Sequence, residues 1–118
     1  MQIGQSTLAD LARLRTDVRR ERISSYDRAG GNYDWWVIPP GETMTIAAIE
    51  GAGCVKHIWM TMWCQADAFP RQLVLRAWWD GEALPSIEAP IGDFFGLGHG
   101  LIRNFWSLPL QMSPQDGR

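Results

Sequence analysis

The chain has 118 residues, a length for one small domain, and its 46% apolar content argues against disorder. A net charge of −2 exerts no pull towards nucleic acid or an anionic membrane. No run approaches the ~18 apolar residues of a spanning helix, so neither nucleic acid nor membrane is expected as a partner. The start, MQIGQSTLADLARLR, lacks the apolar core of a secretory signal, and the expected compartment is the cytoplasm. Seven tryptophans are many for this length. The plainer reading is an aromatic core; the alternative is a surface that stacks on rings or sugars.

Residues 6–16 carry the one helical pattern. Leu8, Leu11, Ala12 and Leu14, with Val18 beyond, recur on one face, and Thr7 with Asp10 three residues on resembles a capping box. Arg19-Arg20-Glu21-Arg22 mixes charge and reads as a solvated connector. From Ile23 to Asp34 the chain is dense in Ser, Asp, Asn and Gly and has little periodicity. Asp27, Asn32 and Asp34 are residues that bond their own backbone in turns. A loop of this length is also where binding residues sit, so Asp27, Asn32, Asp34 and Trp36 are candidate ligand contacts. Tyr26, Trp35 and Trp36 are expected to hold the loop near a sheet.

Strands are predicted from about residue 35 onward. Trp35–Ile38 leads into a Pro39-Pro40-Gly41-Glu42 turn, then Thr43–Ile49 alternates and Gly51–Gly53 turns the chain again. Cys54–Cys64 reads as the longest strand, with Val55, His57, Trp59, Thr61 and Trp63 opposite Lys56, Ile58, Met60 and Met62. Both faces are largely apolar, so both should be covered. Without that cover, Met60/Met62 or Trp59/Trp63 would be open patches. His57 is expected as a hydrogen-bonded core histidine. Cys54 and Cys64 lie about 33 Å apart in such a strand, far beyond disulfide reach, and read as buried free thiols. No CxxC, no second cysteine pair and no HExxH occurs, so no metal or cofactor is expected.

Ala66–Pro70 reads as a loop and Arg71–Asp80 as a strand, with Leu73, Leu75, Ala77 and Trp79 on one face. Asp80-Gly81 signals a hairpin, returning through Pro85 to Ser86–Ala89. The glycine-studded stretch Gly92–Gly100 then presents Asp93, Phe94, Phe95 and His99 on a permissive backbone. Asp93 and His99 are its candidate ligand contacts. It lacks the Lys-Ser/Thr of a phosphate cradle, and no Gly-x-Ser-x-Gly elbow occurs in the chain. One further strand is expected within Ile102–Ser107, before Pro109, Pro114 and Gly117 break up the end.

About six strands with turn signals every 8–12 residues predict an all-β, antiparallel sandwich or barrel in a single domain, 1–118, with one N-terminal helix. Such a sandwich would end with an unpaired edge, which reads as the N-terminal part of a longer design. The chemistry left open is that of paired carboxylates. Glycoside hydrolysis needs two, about 5–5.5 Å apart for retention or 6.5–9.5 Å for inversion. Asp27, Asp34, Glu50, Glu82, Glu88 and Asp93 are available, and their spacing singles out no pair.

Four ordered blocks resemble one family: RISSYDRAGGN from Arg22, IEGAGCVKHIWMT from Ile49, LRAWWDGE from Leu75 and PIGDFFGLGHG from Pro90. Together they are similar to the N-terminal region of glycoside hydrolase family 172, formerly a domain-of-unknown-function family. The resemblance implies a jelly-roll fold, assembly into trimers or larger homo-oligomers, and action on furanosides such as fructofuranose or arabinofuranose linkages. It also implies a catalytic pair of glutamates in a later part of the family's chain, past the position of Arg118. No glutamate here takes either role, so no residue is assigned as catalytic and the chain alone is expected to be inactive. The residues carried over are Asp27, Asn32, Asp34, Trp36, Asp93 and His99, as wall and scaffold of a furanose site. The alternative from another class is a non-catalytic carbohydrate-binding or structural β-sandwich module.

Overall fold

The computed structural model describes residue 14 and residues 16–113, which fall into two units, Met1–Ile58 and Trp59–Arg118. The helix expected over residues 6–16 falls outside the described residues at all but Leu14 and Thr16.

Regular structure among the described residues lies in the second unit. It begins with helix α1 (Phe69–Gln72), which has Pro70 in its first turn, where a missing N–H costs nothing. Arg71 and Gln72 are therefore helical, where the sequence reads as strand. The chain becomes extended at Leu73 and enters β1 (Val74–Ala77), which pairs antiparallel with β2 (Ile87–Pro90). Leu75 faces Ala89 and Ala77 faces Ile87 on the half-buried side, while Arg76 and Glu88 stand opposite each other outside. Those two form an ion pair at 2.6 Å.

Between the strands, Asp80 and Gly81 both take positive φ, 49° and 78°, and the Glu82 N–H donates to the Trp79 carbonyl at 2.9 Å. Two successive left-handed residues make a type I′ turn, the hairpin turn that the Asp-Gly pair predicts. The ladder does not reach up to it. Pro85 has no N–H to offer, and pairing closes only at Ala77–Ile87.

Helix α2 (Ile91–Phe94) follows β2 directly, with the Ile91 N–H donating to the Leu73 carbonyl at 2.8 Å. Pro70, Ile91 and Leu97 form the small core, with Ile91 and Leu97 3% and 4% exposed. Gly92 makes this packing possible. A Cβ there would stand 2.8 Å from the Pro70 Cβ and 3.0 Å from its carbonyl oxygen. A 3₁₀ turn (Gly98–Gly100) leads to a second antiparallel pair, β3 (Phe105–Trp106) with β4 (Gln111–Met112). The Ser107 N–H and hydroxyl both donate to the Leu110 carbonyl, closing the turn around Pro109. Pro109 thus sits in a hairpin turn where it was expected to break up the chain, while Pro114 and Gly117 lie outside the described residues.

These elements overturn the jelly-roll-like sandwich. The described residues hold two sheets of two short strands each and two one-turn helices. Trp35–Ile38, Thr43–Ile49 and Cys54–Cys64 form no ladder, although their alternation suits strands. A strand exists only as a pair, and no segment among the described residues supplies the hydrogen-bonding edge these three would need. Their side chains stay outward: Trp59 is 74% and Trp63 83% exposed, while Met60 and Met62 are half-buried. His57 is exposed, not a core histidine, and Cys54 and Cys64 are exposed free thiols, not buried ones. The expected aromatic core is also absent, since every tryptophan lies at the surface. Where the sequence does turn as read, the reason is local: Gly41 at φ 82° with the Glu42 N–H donating to the Pro39 carbonyl at 3.1 Å makes the Pro-Gly turn.

Candidate functional site

The six candidate contact residues lie on two loops, one in each unit, and each loop has its own architecture.

In the first unit, the polar loop is organised by one carboxylate. Asp27 Oδ1 accepts the Ala29 N–H at 2.8 Å and Oδ2 accepts the Tyr33 N–H at 3.3 Å. The Asp27 carbonyl accepts the Gly30 N–H at 3.2 Å, which closes a turn with Gly30 at φ 76°. Asn32 follows in the left-handed region at φ 64°, where Asn is tolerated better than most side chains. Gly31 lies against the carboxylate so closely that a Cβ would meet Asp27 Oδ2 at 2.8 Å and the Tyr33 ring at 3.2 Å. Amides of Ala29, then Tyr33, with a smaller part from Gly31, hold the Asp27 carboxyl below its usual range. A carboxylate so engaged braces the loop and is spent as a base.

Asp34 closes the loop from the other end. Its Oδ1 accepts the Asp27 N–H at 2.7 Å, and its carbonyl accepts the Ser25 hydroxyl at 2.6 Å. Asp34 is exposed, and its Oδ2 has no hydrogen-bond partner among the described residues. Around the loop stand Tyr26, Tyr33, Trp35 and Trp36, exposed at 52, 68, 58 and 45%. Tyr26, Trp35 and Trp36 thus do not anchor the loop to a sheet. Tyr33 and Trp35 contact one another with centroids 5.1 Å apart at a 59° tilt, and the Arg28 guanidinium lies 5.9 Å from the Tyr26 ring centre.

In the second unit, a shallow depression of about 600 Å³ is lined by Arg71, Asp93, Gly96, Leu97, Gly98 and His99. Its floor is the packed Leu97, whose N–H donates to the Gly92 carbonyl at 2.8 Å. Its charged rim is the Arg71–Asp93 ion pair, which joins α1 to α2. Arg71 passes under the loop at Gly100, where a Cβ would meet the Arg71 Cγ at 2.9 Å. His99 is exposed and held at φ 59°, so its imidazole stands at the rim of the depression. Gly96, at φ 84°, lies under the Phe105 ring and Leu110, so the second hairpin braces the loop from behind.

Asp93 and His99 are therefore brought together as the sequence suggests, and Asp27, Asn32 and Asp34 share one loop. Arg71, which lines the depression, was not among the sequence candidates. Arg71 was obscured because it reads as part of a strand, and only its helical placement turns it towards Asp93. No group of three or more His, Cys, Asp or Glu side chains that could hold a metal converges among the described residues. No helix among them is long and apolar enough to cross a membrane.

A family model described as GH172 domain-like matches residues 33–114. No curated protein and no solved structure matches the chain.

Proposed function

The chain belongs to the GH172 domain-like family, and from that premise we propose that it supplies binding walls of a furanoside-acting glycoside hydrolase without supplying the acids that cleave the bond. The observation that carries this reading is the family match, whose span takes in Asp34, Trp36, Asp93 and His99, while Asp27 and Asn32 lie before it. Asp34 Oδ2, the Asn32 amide and the His99 imidazole are among the groups on the two loops available to sugar hydroxyls.

The carboxylates argue against chemistry by this chain alone. A glycosidase needs two that are free to act as nucleophile and acid/base. Asp27 is held by backbone amides, Asp93 by Arg71, Glu88 by Arg76, and Glu82 accepts the Ser86 hydroxyl. Each of these four has a structural commitment, which leaves Asp34 and Glu50 of the six, one residue flanking each of two separate turns. The same reading keeps the chain in the reducing cytoplasm, where the unpaired Cys54 and Cys64 thiols persist, and has it act within a homo-oligomer that covers the outward-facing Trp59 and Trp63.

The purified chain, incubated with 4-nitrophenyl α-L-arabinofuranoside, is expected to release no more nitrophenol than an empty-vector preparation. Robust release above that control overturns the reading.

A further inference from the structure

We propose that Met60, Met62 and Cys64 form a soft-sulfur site for a monovalent copper ion, a role independent of the furanoside reading above.

The register of the segment puts these three residues on one side. Residues 59–64 hold no helix, turn or ladder, and exposure alternates along them. Trp59 and Trp63 are 74 and 83% exposed and Thr61 is exposed, while Met60 and Met62 between them are half-buried. A period of two is that of an extended backbone, whose alternate residues share a face. Cys64 takes the next position in the register of Met60 and Met62. It is an exposed free thiol with no hydrogen-bond partner among the described residues, so a metal ion reaches it directly from solvent.

Convergence on one ion is within reach. Neighbours in this register stand about 6.6 Å apart at the backbone, twice the ~3.3 Å rise per residue. A methionine side chain is unbranched, with three rotatable bonds, and spans that gap. The backbone can give as well, because no backbone–backbone hydrogen bond among the described residues involves residues 59–64. All three ligands lie within the second unit.

The donor set selects the ion. Two thioethers and a thiol are soft ligands, and soft ligands select monovalent copper. Calcium and magnesium need oxygen ligands, and no carboxylate lies between Trp59 and Gln65. Zinc is held by thiolate, imidazole and carboxylate groups, not by thioethers. The patterns missing from this sequence, CxxC and HExxH, are those of zinc and redox sites, so their absence leaves thioether ligation open. On binding, the Cys64 S–H bond breaks, its proton passes to solvent, and the sulfur bonds to copper. No electron is transferred, and the ion stays monovalent.

The test is an anaerobic titration of the full chain with Cu(I) against a chromogenic Cu(I) chelator, with X-ray absorption to identify the ligands. The chain is expected to take up one ion in a sulfur-only environment. Cys64→Ser should abolish uptake, and Met60→Leu and Met62→Leu should each weaken it about tenfold, about 1.4 kcal/mol. Leucine conserves the methionine volume, so the β1–β2 amide spectrum should not change in these variants. Cys54→Ser and His57→Ala should bind copper as the wild type does, and Zn(II) should leave the amides of residues 60–64 unmoved. No uptake by the wild-type chain overturns the site, as does undiminished affinity in both leucine variants. A loss in Cys54→Ser equal to that in Cys64→Ser also overturns it, since copper would then be held between two thiols without the methionines.

Discussion

Gly92 has room for a hydrogen and nothing larger. Its missing Cβ would sit 2.8 Å from the Pro70 ring, and the nearby Pro70 carbonyl is backbone that cannot swing aside. Gly92→Ala is therefore expected to push α1 off α2 and cost about 1–3 kcal/mol, as overpacking does. A lower denaturation midpoint, with faster amide exchange at Leu97, checks it. Asp27 makes the opposite kind of prediction, about pH. Its folded pKa is depressed, so its contribution to loop order is fully present above the ordinary aspartate value of about 3.9. That contribution is lost only as pH falls through the lower folded value. The Ala29 and Tyr33 amide shifts should hold their position through the pH range where ordinary aspartates titrate and move below it. In Asp27→Asn they should be displaced already at neutral pH. Sequence marked Asp27, Asn32 and Asp34 as one polar group, which they are. It could not divide their labour, because which carboxylate the backbone consumes depends on the Gly30 and Asn32 dihedrals.

Two hairpins with similar signals show what an element needs in order to form. Alternation at Leu73–Ala77, the Asp80-Gly81 turn and the apolar return at Ile87 and Ala89 all lie within twenty residues of each other, so the chain carries both partners of the pair. That hairpin was legible. Alternation at Thr43–Ile49 and Cys54–Cys64 is just as regular, yet pattern records only which face is apolar, not whether an edge is present to pair with. The sandwich reading failed at that step. Within the first hairpin, backbone conformation outweighs charge. Gly81 holds φ 78° with nothing within 4 Å of a Cβ, so Gly81→Ala introduces left-handed strain of about 1–2 kcal/mol and no clash. Arg76 and Glu88 are an exposed pair, 40 and 54% accessible, worth about 0.2–1 kcal/mol. Hydrogen exchange across β1 and β2 should accelerate more in Gly81→Ala than in Arg76→Ala, and only the effect of Arg76→Ala should vanish in high salt.

Across both units the indole rings face outward: Trp35, Trp36, Trp59, Trp63, Trp78, Trp79 and Trp106 are between 45 and 83% exposed. Composition supplied the number of rings but not their side of the surface, because a tryptophan is equally at home in a core and on a contact face. Ile23, Val37, Ile49, Leu84 and Leu108 are exposed with them. In the homo-oligomer proposed above, that open apolar surface would be covered by neighbouring copies. The free chain should accordingly emit tryptophan fluorescence at the long wavelength of hydrated indole and be quenched readily by acrylamide. As concentration rises and copies cover one another, the emission should shift to the blue, quenching should fall, and a dye specific for apolar surface should be released in step. Emission already blue-shifted and shielded in dilute solution would mean that these rings are enclosed within one chain. That result would remove both the outward aromatic surface and the argument that the chain needs company to cover it.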